Sequence, residues 1–376
     1  MIYLDYSATT PVNKEVLDSF TKTCLMFPGN PNSLHKLGVE TNELIKSATD
    51  QIRQILKLKN QEIIYTSGAS ESNNLAIKGV GLKYQSRGKH IITTDFEHSS
   101  IYGPLSYLQS LGFEIDIAEV DEYGRVDLIK LEQLIRNDTI LVSIAAVNSE
   151  IGIIQPIEEI ANLLKKYPKC FFHVDMTQSI TKININLNDI DFVSFSAHKF
   201  FGLKGIGCLI KNKKVRIEPL IHGGKSTTIY RSGTPAAPLI VSTSKALRLA
   251  NANIEKKFNH VKNLNNNLKD FFKQYEHIKI NSNEFCSPYI LNISVLGIKP
   301  ETFMQALETK EIYISTQTAC AKDSSLSRAV LSLTQDEERA KSSLRISLAY
   351  LTTENEINTF IEEFKTIYDN LSLLRR

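Results

Sequence analysis

Five short stretches hold the residue types from which an active site could be built. Ile63-Ile64-Tyr65-Thr66 runs into Ser67-Gly68-Ala69-Ser70 and then into a helical pattern. A small-residue turn between strand and helix exposes backbone N–H groups at a helix N-terminus, which suits a phosphate. Phe171-Phe172-His173-Val174 ends in Asp175, with Thr177 and Gln178 just behind. A carboxylate at the end of an apolar strand needs a cationic or hydrogen-bonding partner, and a protonated pyridine nitrogen is such a partner. Val193-Ser194-Phe195-Ser196-Ala197 leads to His198 and Lys199. A lysine just past an apolar strand can be desolvated, which lowers its amine pKa and favours Schiff-base chemistry. His98 follows Thr94-Asp95-Phe96-Glu97 after another apolar run, and an imidazole there could stack on an aromatic ligand and exchange protons near neutral pH. Cys320 opens a polar stretch, Ala321-Lys322-Asp323-Ser324-Ser325; a thiol on such a loop is exposed, and Lys322 favours its thiolate.

Taken singly, each stretch also has an ordinary structural reading: a plain strand-to-helix turn, an N-capping aspartate, a surface lysine, a core histidine, a loop thiol. Their placement depends on the secondary structure around them. Strand-like runs fall at Glu62–Thr66, His90–Thr94, Glu114–Glu119, Leu141–Val147, Cys170–Asp175, Phe192–Ser196 and Gly207–Ile210, with helical patterns between several of them, as at Glu71–Tyr84, Ile101–Leu111 and Ile157–Lys166. Continuous apolar strands alternating with helices predict an α/β unit with a mainly parallel sheet covered on both faces. In such sheets ligands gather at the C-terminal ends of the strands. One long amphipathic stretch, Ala237 to Tyr275, follows; its Asn/Lys-rich patch from Asn259 to Asn267 reads as a solvated helix face. The last hundred residues read as a smaller α+β unit: strand Tyr289–Val295, helix Pro300–Lys310, strands Ile312–Ser315 and Leu344–Leu348, and a closing helix with Thr353 and Glu356 at capping-box spacing.

The 376 residues are too many for one compact core, so two domains are expected. We place a large domain at 12–255 and a small one at 256–376, joined by the N-terminal segment 1–11. A formal net charge of +3 without a long basic run gives no support to direct nucleic-acid or membrane-surface binding. The N-terminus lacks the pattern of a secretory signal. The longest apolar run, Leu141 to Val147, is far short of the roughly 20 residues that span a bilayer; a cytoplasmic protein is expected. Five cysteines (Cys24, Cys170, Cys208, Cys286 and Cys320), scattered and never spaced CxxC, predict neither a disulfide framework nor a zinc site, and no metal is expected. Cys24, Cys170 and Cys208 are expected in the core, and Cys286 in a turn.

The order of these features resembles fold-type I pyridoxal-phosphate enzymes of the class V aminotransferase group, and within it the cysteine desulfurases of the NifS/IscS kind. The matching stretches are Tyr3-Leu4-Asp5-Tyr6-Ser7-Ala8-Thr9-Thr10-Pro11, Gly29-Asn30-Pro31 with Ser33 and His35, Thr66-Ser67-Gly68-Ala69-Ser70-Glu71-Ser72-Asn73, Asn148-Ser149-Glu150-Ile151-Gly152, His173-Val174-Asp175 with Gln178, Ser196-Ala197-His198-Lys199, Arg231-Ser232-Gly233-Thr234 and Arg345-Ile346-Ser347-Leu348. They cover nearly the whole chain. The resemblance implies that Lys199 carries pyridoxal 5'-phosphate through its amine and that Asp175 pairs with the pyridine nitrogen. It implies that Gln178 and Asn148 lie near the phenolic oxygen, and that His98 stacks on the ring and serves as acid/base for the substrate thiol. The phosphate would be held at the Ala69-Ser70 turn by Ser70, with Ser196 and His198, and by Thr234 from the second subunit of a homodimer. Arg345, with Asn148 beside it, would bind the substrate α-carboxylate. Cys320, on a mobile loop of the small domain, would take the sulfur of L-cysteine as a persulfide and deliver it to an acceptor protein in iron–sulfur cluster assembly or in tRNA or cofactor thiolation.

Three places depart from the family's usual wording. The cysteine loop reads Ala319-Cys320-Ala321-Lys322-Asp323-Ser324-Ser325, without the common Thr-Ser and Leu-Glu-Pro elements; Lys225 stands where a third glycine is common; Ser70 replaces a frequent threonine. These bear on acceptor choice and rate more than on chemistry. Selenocysteine or cysteine sulfinate lyase activity, in which Cys320 has no required part, is the enzymatic alternative, and a cofactor-free sulfur-transfer scaffold is the non-enzymatic one.

Overall fold

The computed structural model describes residues 1–316 and 326–373; Cys320 lies outside the described residues. Seven strands form the central sheet, in spatial order Gln61–Thr66, Gly207–Asn212, Phe192–Ser196, Phe171–Asp175, Thr139–Ala145, His90–Thr93 and Glu114–Ile117. All neighbours are parallel except those of Gly207–Asn212, which runs antiparallel to both strands beside it. The three central parallel strands are buried at every residue, as continuous apolar runs require when helices cover both faces. Side chains alternate between the faces: Val142, Phe172, Val174 and Val193 join one buried cluster, Leu141, Phe171, Phe192 and Leu209 another.

Register decides where polar side chains end up. Ala145 pairs with Asp175, and Asp175 pairs with Ser194, so these strands finish along one edge. The antiparallel strand starts on that same edge, with Gly207 between Thr66 and Ser196. The strand Gln61–Thr66 then turns through Ser67 and Gly68 into the helix Ala69–Tyr84, whose N-terminus comes to lie beside the ends of its neighbours.

A second body forms around the antiparallel strands Ile278–Ile280, Ile290–Val295 and Ser343–Ser347. The helices Ile254–Phe272, Pro300–Glu308 and Glu354–Leu373 supply its core, with Phe272, Phe303, Phe360 and Phe364 packed ring against ring. The capping box at the last helix is formed, Thr353 N donating to Glu356 Oε2 at 2.8 Å and Glu356 N to Thr353 Oγ1 at 3.2 Å.

The chain departs from the sequence expectations in three places. The stretch from Ala237 to Tyr275 is two helices, Ala237–Asn251 and Ile254–Phe272, because Asn253 takes a left-handed conformation with φ of 56°. The first packs in the large core and the second in the small one. Asn265, expected on a solvated face, is buried and donates through Nδ2 to the Pro288 carbonyl at 2.9 Å. Cys24 is exposed: the helix Lys14–Met26 buries Val16 and Thr23 and turns Cys24, Leu25 and Met26 outward. No helix among the described residues is long and apolar enough to cross a membrane.

At Gly207 a Cβ would lie 2.6 Å from Gly68 Cα and 2.8 Å from the Phe195 carbonyl oxygen, all backbone atoms that cannot swing aside. Gly207→Ala should cost about 1–3 kcal/mol through overpacking and push the Ala69–Tyr84 helix away from the sheet edge. A lower thermal midpoint, measured by circular dichroism, checks this; an unchanged midpoint would show that the edge tolerates movement.

Candidate active site

The strand ends border a cavity of about 490 Å³, lined by Ser7, Ala8, Ser67, Gly68, Ala69, Ser70, His98, Asp175, Gln178, Ser196, His198, Lys199 and Arg345 among others. That volume lies within the range of small-molecule and cofactor sites. Lys199 follows the strand Phe192–Ser196 in a single helical turn, Ala197–Lys199. Its Nζ donates to the carbonyl oxygens of Ser7 at 2.6 Å and Ala8 at 2.9 Å. The N-terminal segment is anchored around it, with Thr10 N donating to the His198 carbonyl and Phe201 N to Thr10 Oγ1. Ser7 and Ala8 act here through their backbone carbonyls, so nothing in their residue types pointed to this role.

Asp175 ends its strand at 6% exposure. Oδ1 accepts from the Thr177 backbone N–H at 2.9 Å and Oδ2 from Asn73 Nδ2 at 2.8 Å. Both partners are neutral, so an uncompensated carboxylate is left at the cavity wall, where a cationic ring nitrogen would pair with it. The same Asn73 amide donates to Ser100 Oγ at 2.9 Å, and Ser100 Oγ meets His98 Nδ1 at 2.8 Å. His98 caps its helix, its Nδ1 accepting the Ser100 backbone N–H at 3.1 Å. That bond fixes the neutral tautomer with the proton on Nε2. Burial pulls the His98 pKa below its ordinary value, so the ring works as a neutral imidazole. Asn73 was visible in the sequence only as part of a motif; its place inside the helix Ala69–Tyr84 shows its part as the link between acid and imidazole.

The cavity also takes in the N-terminus of the helix Ala69–Tyr84, which has no side-chain cap. Its first N–H groups, with Ser70, Ser196 and His198 around them, form an anion seat. Ser196 Oγ donates to the Ile206 carbonyl at 3.1 Å, and His198 Nδ1 meets Thr9 Oγ1 at 3.0 Å. Burial, with Lys199 nearby, pulls His198 down to about 4, so it too is neutral. Glu71, close to the seat, is paired with Arg231 at 2.9 Å and accepts from Ser67 N at 2.7 Å.

Arg345 reaches the cavity from the strand Ser343–Ser347 at 2% exposure. Its guanidinium donates to Asp5 Oδ1 at 2.9 Å and to the Ser149 carbonyl at 3.0 Å. Two sequence-predicted residues stand apart from this cavity. Thr234 lies on the other side of Ser67 and Gly205, in a smaller recess with Ser226 and Arg231. The Asn148 amide is engaged in its own loop, Oδ1 accepting from Glu150 N and Ile151 N while Nδ2 donates to the Phe96 carbonyl; its neighbours Val147 and Ser149 line the cavity in its place. No cluster of three metal-ligating side chains occurs among the described residues.

Glu97, beside His98, was not singled out by sequence. Its Oε1 accepts from Thr94 Oγ1 at 2.6 Å and from Ala145 N at 3.0 Å, and its Oε2 is sealed from solvent. Burial, reinforced by Asp175, pushes its pKa up to about 8. A carboxyl raised in the folded state contributes stability that is full below about 4.5 and lost as pH rises to about 8. Glu97→Gln mimics the protonated acid, so it should be nearly neutral in mild acid and increasingly more stable than the native protein up to about pH 8. Urea melts across that range check the crossing; parallel curves would mean that Glu97 is ionised throughout.

Comparison with known proteins extends these findings. The model of the family described as aminotransferase class-V matches residues 2–360. The cysteine desulfurase IscS of Dictyoglomus turgidum is 37% identical over 381 aligned residues, covering 98% of this chain and 95% of that one. A solved NifS-like protein superposes with a TM-score of 0.91 at 35% identity, covering 99% of both chains. SspA, solved in complex with cysteine, superposes with a TM-score of 0.81 at 31% identity over 94% of this chain and 100% of that one. With its lysine, aspartate and arginine converging on one cavity, the chain belongs to the class-V aminotransferase family and, within it, to the cysteine desulfurases.

Proposed function

We propose that this chain binds pyridoxal phosphate, converts L-cysteine to alanine, and passes the sulfur atom to Cys320 as a persulfide. The observation that carries the reading is the convergence of the Lys199 amine, the Asp175 carboxylate, the Arg345 guanidinium and an uncapped helix N-terminus on one cavity. The lining fits the cofactor and substrate: helix amides, Ser70, Ser196 and His198 for the phosphate, Lys199 for the aldehyde carbon, Asp175 for the pyridine nitrogen, Gln178 for the phenolic oxygen, and Arg345 for the α-carboxylate. When bound, pyridoxal phosphate supplies an electron sink conjugated to the substrate nitrogen.

The protein's own groups do the rest. With substrate bound, Lys199 would take the proton from Cα as general base; the Ser7 and Ala8 carbonyls that hold its Nζ keep that amine at the cavity wall. Arg345 binds the carboxylate as a fork, the geometry a guanidinium suits best. His98 offers its Nε2 proton to the substrate side and returns it, an exchange a neutral imidazole performs near pH 7. The Cys320 thiolate attacks the sulfur of the substrate: the substrate C–S bond breaks, a Cys320 S–S bond forms, and Cβ takes up a proton to give alanine. Sulfur moves at the zero-valent level, so no outside oxidant or reductant enters. Two copies of the chain would form the working unit, Thr234 of each completing the other's phosphate seat, and a protein acceptor in the cytoplasm would relieve Cys320 of its sulfur.

Mass spectrometry after treatment with L-cysteine tests the reading. One or more added sulfur atoms on the Cys320 peptide are expected, together with an equivalent of alanine. Cys320→Ala should lose transfer to acceptors and keep the yellow colour of the bound cofactor; undiminished transfer in that variant would overturn the role of Cys320. Asp5→Asn removes the charge that aligns Arg345, and a charge-assisted hydrogen bond of this kind is worth roughly 1.5–3 kcal/mol. KM for cysteine should rise about tenfold, about 1.4 kcal/mol, with kcat falling less. Steady-state kinetics decide; an unchanged KM would leave Asp5 with a folding role only.

A further inference from the structure

Behind Lys199 lies a second, much smaller cavity of about 20 Å³, bordered by Lys182, Lys199, Lys257 and the phenols of Tyr6, Tyr289 and Tyr350, with no carboxylate in its described lining. Lys182 is the notable member. Its Nζ donates to Gln178 Oε1 at 3.2 Å and stands 5.6 Å from the centre of the Tyr289 ring. An ammonium has only donors, so the amide of Gln178 must turn its oxygen toward Lys182. The other half of the amide is fixed just as firmly: Gln178 Nε2 donates to the Ser7 carbonyl at 3.0 Å, the same oxygen that accepts from Lys199 at 2.6 Å. One N–H of Gln178 is thereby used, and the second is left for the large cavity that Gln178 lines.

The backbone just before Lys182 carries strain. Thr181 has φ of 64°, in the left-handed region, where a β-branched residue costs roughly 1–3 kcal/mol and persists only when its surroundings over-determine it. The strained residue ends the turn that begins at Met176, in which Ile180 N donates to the Met176 carbonyl and Lys182 N to the Ser179 carbonyl. That turn is the continuation of the Asp175 strand.

We propose that Lys182 is a positioning residue for the reaction, its ammonium locking the orientation in which Gln178 presents an N–H to the cofactor's phenolic oxygen and placing a second cation behind Lys199. This rests on the pyridoxal-phosphate reading above. The charged and titratable groups around Lys182 are Lys199, Arg345 from the strand Ser343–Ser347, Lys257 from the helix Ile254–Phe272, and the three tyrosine phenols. Burial, with Lys199 and Arg345, pulls the Lys182 amine down to about 7.

The test is a pH titration of the visible absorption of the reconstituted holoenzyme. A cation and a hydrogen-bond donor near the lysine–cofactor linkage both disfavour its protonated form. Lys182→Met should therefore raise the midpoint of the colour change by about one pH unit and lower kcat about tenfold at neutral pH with KM within about twofold. Lys182→Arg, which keeps charge and donor, should stay near the native midpoint. Thr181→Gly, which accepts the same backbone without strain, should leave it unmoved. A native midpoint in Lys182→Met overturns the inference and leaves the sulfur-transfer reading standing, whereas a wild-type protein that takes up no chromophore overturns both. Should Lys182→Met give no folded protein, Lys182→Gln is read in its place. Failure of both to fold while Lys182→Arg folds would assign Lys182 to the core and overturn the proposal.

Discussion

Two backbone carbonyls hold the Lys199 amine, and the cavity is arranged around that grip. Ser7 and Ala8 bind Lys199 Nζ, and the segment that carries them is threaded between the two bodies of the molecule. Its first residues, Ile2 and Tyr3, pair with Ile312 and Tyr313 of the small unit; Asp5 pairs with Arg345; Thr10 fastens to the backbone on both sides of Lys199. Ten residues thus set the distance between the group expected to carry the cofactor and the group expected to hold the substrate. A carbonyl serves because it cannot be titrated away and, being backbone, cannot change rotamer.

The electrostatics of the cavity follow from which groups lose their charge. Two buried carboxyls close together cannot both ionise cheaply. Glu97 is the one held neutral, sealed behind Thr94 and Ala145, while Asp175 lines the cavity with the Thr177 N–H and the Asn73 amide as its partners. His98, His173 and His198 are all pulled down by burial and stay neutral. The remaining positive features, Lys199, Arg345 and the helix N-terminus, all belong to the lining; a phosphate suits the helix N-terminus and a carboxylate suits Arg345, while a cationic ring nitrogen suits Asp175.

Backbone packing sets the outer limits of that arrangement. The antiparallel strand Gly207–Asn212 enters the sheet where Gly68 leaves it, and only a residue without Cβ lets the two chains meet there. The strain at Thr181 is a second such place, in the turn that follows Asp175. The first borders the large cavity through Gly68 and the second borders the small one behind Lys199, where surrounding packing can hold a costly conformation in place.

Much of this was legible in the sequence. Apolar runs identified the seven central strands to within a residue or two, because a strand buried on both faces has no freedom in composition; the capping box at Thr353 and the strand-terminal Asp175 and Lys199 were equally plain. The break at Asn253 was not, since one left-handed residue inside an amphipathic pattern leaves the periodicity intact. Nor was the exposure of Cys24, where a thiol beside Leu25 and Met26 reads as core in any single chain. The contacts that the motifs did not reveal share one property. Asn73 meets Asp175 across 102 positions, Ser7 meets Lys199 across 192, and Asp5 meets Arg345 across 340. Which groups could do chemistry and which strands would carry them follow from residue type and local pattern, and so from the chain read alone. Which neutral amides, carbonyls and buried acids stand beside those groups follows from folding, because desolvation and pairing are set by what comes together in space.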